Sequence, residues 1–172
     1  EELNIDKLCV VGVEMGASLA LDYALIDSVG YEQRTAQYGP LKLGQFVKAL
    51  VLISPEWRFR GLNTQTALRS PVVHKLPVAI LVGKGNSRFM SDADRFQKAF
   101  EQGRDVAADE KPEDSALWMI PLDTSLEGTK LLDESSLDLP VKKRVGQFLY
   151  YRLVKNSDAK NYAWEERKYP HE

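Results

Sequence analysis

The chain has 172 residues, 44% of them apolar and 28% charged, with a net charge of −2. That length and balance suit one globular domain with a real core, and the charge gives no reason to expect nucleic acid or an anionic membrane as a partner. No apolar run approaches the roughly 20 residues of a membrane-spanning helix, so no transmembrane segment is expected.

Residues 1–6 read as the end of a helix turning into a strand, so the expectation is a fold that is incomplete at its N-terminus. Lys7 to Val13 is a buried-strand candidate rich in β-branched residues. It holds Cys9, the single cysteine, expected as a small buried hydrophobe. Met15 to Val29 follows with helical spacing. Leu19, Tyr23 and Ile26 share one side with Ala20 and Ala24 beside them, and Asp22 and Asp27 point outward. Gly30 to Gly44 reads as a polar connection broken by Gly39-Pro40. Val47 to Ile53 is the second strand, stopped by Ser54-Pro55. Glu56 to Lys75 looks irregular, with a short helix near Thr64 to Leu68. Pro77 to Gly83 is the third strand.

Ser91 has the character of an N-cap, with Asp94 in the capping-box position. Its helix carries Phe96, Ala99 and Phe100 inward. Gly103 to Ser115 is a charged loop, and Ala116 to Leu122 a fourth strand. Asp138 and Pro140 open a last helix, with Val141, Val145, Phe148, Leu149 and Arg152 at helical intervals. Strands alternating with helices, and nearly continuous apolar strands, imply an α/β fold. Its sheet is mostly parallel and has helices on both faces. Residues 155–172 read as a polar C-terminal tail.

The segment Val10-Val11-Gly12-Val13-Glu14-Met15-Gly16-Ala17 carries the most information. An apolar strand ends in Gly-x-Glu-x-Gly and passes straight into a helix. This resembles the nucleophile elbow of α/β-hydrolases, G-x-S-x-G, with glutamate in place of serine. Later landmarks fall in the same order. Where relatives often read Val-Gly-x-x-Asp, this chain reads Val82-Gly83-Lys84-Gly85-Asn86. Where they often read His-Gly-Thr, it reads Glu127-Gly128-Thr129. The resemblance covers roughly residues 3 to 154, and residues 1–154 are expected to form the C-terminal part of an α/β-hydrolase-like domain. It implies that serine, aspartate and histidine have become Glu14, Asn86 and Glu127.

The serine mechanism needs an imidazole that takes the hydroxyl proton and returns it to the leaving group. Glutamate is a weak base in that place, and asparagine cannot stabilise an imidazolium. The two histidines offer no substitute: His74 precedes the third strand, at the end of the sheet opposite the rim, and His171 lies in the tail. The resemblance therefore implies a degenerate triad and a pseudoenzyme with a binding or interaction role toward a small molecule or a protein. The runner-up is a hydrolase of altered chemistry using Glu14, completed by an N-terminal segment. Met15, Trp57 and Phe59 are the candidate pocket residues. No His-rich or Asp-rich metal spacing is present, and neither metal nor cofactor is expected. Gly83-Lys84-Gly85-Asn86 lacks the spacing of a P-loop. The run Lys142-Lys143-Arg144 reads as a solvated helix face.

Overall fold

The computed structural model of the chain describes residues 8–29, 31–35, 39–43, 46–58, 64–102, 104, 115–133 and 141–155. Phe59, Asp138, Pro140, His171 and the 156–172 stretch therefore lie outside the described residues.

The main sheet has four parallel strands in the order β1-β4-β5-β6: β1 (Leu8–Val13), β4 (Val47–Ile53), β5 (Val78–Gly83) and β6 (Leu117–Leu122). Parallel neighbours need crossovers, and the apolar strands need cover on both faces. Both requirements are met. One face is covered by α1 (Met15–Val29), α2 (Thr64–Leu68), α3 (Pro71–Lys75) and α4 (Ser87–Gln102), which enclose Leu50, Leu52, Ile80, Phe96 and Phe100. The second face is covered by α5 (Val141–Leu149), the short 3-10 segment Gly128–Leu132 and the π-helical segment Tyr150–Lys155. These enclose Val51, Ile53, Leu81, Leu131 and Phe148. Burial follows position in the sheet. Every residue of β5 is buried, whereas β1 is mostly half-buried and Val11 is exposed.

Four features depart from the sequence reading. The 30–44 connection contains an antiparallel hairpin, β2 (Tyr31–Thr35) and β3 (Gly39–Leu43), where a plain connection was expected. Its Gly-Pro signal opens β3 instead of breaking structure. Helix α4 begins four residues before Ser91, at Ser87. Asn86 caps it, its Oδ1 accepting from the backbone N–H of Arg88 and Phe89 at 3.2 and 3.3 Å. Asp27 is buried, not outward. Its carboxylate accepts the Val47 N–H at 2.8 Å and so ties the end of α1 to the start of β4. Finally, α1 buries Ala17, Ala20, Leu21 and Ala24, while Leu19, Tyr23 and Ile26 face out. Small alanines let the helix sit close to the strands, so its larger side chains are left uncovered.

Candidate functional site

The loops after β1, β4, β5 and β6 meet at the C-terminal end of the sheet, where open α/β folds place their crevices. After β1, the Glu14 N–H continues the ladder by donating to the Ile53 carbonyl at 2.8 Å. The chain then turns at once into α1, with Glu14 at φ 51°. Left-handed backbone at a non-glycine residue costs roughly 1–3 kcal/mol and collects at functional sites. Gly12 makes the turn possible: a Cβ there would lie 2.4 Å from the Gly16 carbonyl oxygen and 2.6 Å from the Ala17 Cα. Gly16 has no such duty, because a Cβ there meets nothing within 4 Å.

The neighbouring strand end repeats the device. Ser54, the residue after β4, has φ 47° and is fully buried. Its Oγ accepts the Gly128 N–H at 2.9 Å. Sequence reasoning missed Ser54. Its one signal was Ser-Pro directly after an apolar strand, which reads equally well as a plain stop. Glu14 and Ser54 are the positive-φ non-glycine residues among those described, and they sit at adjacent strand ends.

Gly128 joins them. Its φ is +57°, and a Cβ on it would lie 2.0 Å from Glu14 Oε1. The Glu14 carboxylate thus rests on the residue that follows Glu127. The loop bearing Glu127 is held across the end of β5, where Gly85 N–H donates to the Thr124 carbonyl at 2.9 Å and Lys84 pairs with Asp123 at 2.8 Å. Glu127 in turn meets Asn86, whose Nδ2 donates to its Oε2 at 2.5 Å.

This geometry fixes what Asn86 can do. Its Oδ1 is used by the α4 cap and its Nδ2 by Glu127, so the amide is committed on both sides. Asn86 donates and Glu127 accepts, so the pair locks the loop that bears Glu127 to the start of α4.

Other sequence-selected residues lie elsewhere. Trp57 packs edge-on against Phe96 at 4.9 Å, and its backbone N–H donates to Asp92 Oδ2 at 3.1 Å. Together with Leu68, His74 and Ala99 it lines an open cleft of about 290 Å³ that does not include Glu14, Asn86 or Glu127. Met15 is 40% exposed at the start of α1. His74 is buried in α3, edge-on to Phe100 at 5.9 Å. Lys142, Lys143 and Arg144 are exposed. Cys9 is partly buried, and burial pushes its thiol up to about 11 from the ordinary 9.0. Among the described residues, no group of three or more His, Cys, Asp and Glu side chains could hold a metal ion. None of the described helices is long and apolar enough to cross a membrane.

No family model, curated protein or solved structure matches this chain.

Proposed function

We propose that the chain is a catalytically degenerate α/β-hydrolase-like protein, a pseudoenzyme that keeps the elbow turn and uses its surface for binding or interaction. The observation that supports this most is the Asn86–Glu127 hydrogen bond: the residue at the triad-like acid position donates and the one at the histidine position accepts, the reverse of a serine-type triad, where a carboxylate accepts from an imidazole N–H. The three triad-like positions, Glu14, Asn86 and Glu127, follow the ends of β1, β5 and β6, in the order that the resemblance implies. The chemistry has gone from each of them. Asn86 is a helix cap and Glu127 a loop anchor. Glu14 packs on a glycine, and no hydrogen bond reaches its carboxylate among the described residues.

Assays with short p-nitrophenyl esters test the reading, run on the protein beside a Glu14→Ala control. The expected result is the background hydrolysis rate for both. Turnover above background that the control abolishes would establish instead a hydrolase using Glu14.

A further inference from the structure

The cleft of about 290 Å³ beside Trp57 lies away from the rim, among residues of α2, α3 and α4. Leu68 and His74, 5% and 9% exposed, form its floor. Half-buried Trp57 and Ala99 form a wall, and the exposed Gln65, Arg69 and Gln102 stand at its mouth. Two observations define the chemistry it offers. The first is His74. Its ring is held edge-on to Phe100 at 5.9 Å. Nδ1 is buried with no hydrogen-bond partner, and Nε2, also without a hydrogen bond among the described residues, is the ring nitrogen left accessible. A proton on Nδ1 would be a buried donor with nothing to accept it, so the ring proton belongs on Nε2. His74 thus presents an N–H donor to the cleft it lines. Native structures pair the great majority of such groups, and a nearly buried donor without an acceptor calls for one from outside.

The second observation is charge. Arg69 is the one charged side chain among the described residues that line the cleft, and no ion pair involves it. We infer that this cleft binds a small aromatic carboxylate. The carboxylate accepts from the Arg69 guanidinium and from His74 Nε2–H, and the aromatic body lies against Trp57, Leu68 and Ala99. A guanidinium and a neutral N–H suit a singly charged carboxylate, and an indole wall over an aliphatic floor suits a flat apolar body. The volume is near the roughly 300 Å³ lower end for ligand pockets, which limits the ligand to one or two rings. The inference stands on the cleft and not on the pseudoenzyme reading, so the ester assays leave it untouched.

An NMR titration of the isotope-labelled full chain with phenylacetate tests it. The expected result is a set of saturable shifts in the Trp57 indole N–H and in the amides of Arg69 and His74, with a Kd of about 0.3–3 mM for so small a ligand. Arg69→Gln, at an exposed position, should weaken binding about tenfold with the circular dichroism spectrum unchanged. His74→Phe, which keeps the ring and removes its nitrogens, should do the same, and the uncharged phenylacetamide should bind the wild type about tenfold more weakly than the acid. The inference is overturned by the absence of saturable shifts up to about 20 mM, or by shifts confined to residues outside the cleft. It is equally overturned if Arg69→Gln leaves the affinity unchanged, or if the amide binds as tightly as the acid.

Discussion

The sheet contains two strand–turn–helix units, β5–α4 and β1–α1, built on different terms. In the β5–α4 unit every strand residue is buried. The turn closes on the Asn86 cap, and α4 divides into a buried face of Phe89, Ala93, Phe96 and Phe100 and a charged outer face. In the β1–α1 unit the strand is mostly half-buried, and the turn holds Glu14 at φ 51°. There α1 buries alanines and exposes larger apolar side chains. The first unit is what stability alone produces. The second carries backbone strain and uncovered apolar surface, neither of which helps an isolated fold. Such departures concentrate where a chain does something other than fold.

The largest effect should come from setting the core of α4 against the exposed stripe of α1. Phe96→Ala empties a fully buried site beside Trp57 and should cost about 3–5 kcal/mol in guanidinium unfolding. Ile26→Ala on α1, at 66% exposure, should change stability by less than about 0.5 kcal/mol in dilute solution. A comparable loss at both sites would erase the distinction between the units.

The two glycines of the elbow sharpen it next. Gly12→Ala drives a Cβ into backbone at 2.4 Å and should cost about 2–3 kcal/mol, since backbone must shift to admit it. Gly16→Ala enters open space inside a helix and should stabilise by about 0.5–1 kcal/mol. Thermal melts of the two variants, moving in opposite directions, would show that only one glycine of the motif is required by the turn.

Much of this was legible in the sequence, because apolar runs and helical spacing report burial directly. The four strands of the sheet and helices α1 and α5 lie where those patterns put them. What escaped depended on partners distant in the chain. Asp27 reads as a surface residue until Val47 is known to sit opposite it. The stripe on α1 has the spacing of a core face, and periodicity cannot say which side of an apolar helix finds a neighbour. Ser91 reads as a cap because the capping box is a local pattern, whereas the true cap, Asn86, is also placed by its bond to Glu127. Ser54 left no distinct signal, since its strain comes from reaching Gly128.

The smallest effect concerns reactivity. Burial raises the Cys9 thiol to about 11 from 9.0. At pH 8 its thiolate fraction should be about 100-fold below that of an unperturbed thiol, and iodoacetamide should label it correspondingly slowly. The sign follows from the proton: the folded state holds it more tightly, so this group's contribution to stability is constant below pH 9 and falls between pH 9 and about 11. Labelling at the rate of free cysteine would mean that β1 is more open than its neighbours allow.

The contrast between the two turns is tested most directly by placing the same residue in both and measuring guanidinium unfolding. Glu14→Gly relieves left-handed strain and leaves a carboxylate-free elbow. It should stabilise by about 0.5–1 kcal/mol, the αL penalty less the added freedom of the unfolded chain. Asn86→Gly loses little as a cap but also loses the donor to Glu127, and should destabilise by about 1–2 kcal/mol. Opposite signs would support a strained elbow beside a turn built for stability. Destabilisation by Glu14→Gly, equal to that at Asn86, would show that the elbow glutamate holds the rim together, and the contrast between the two units would fail.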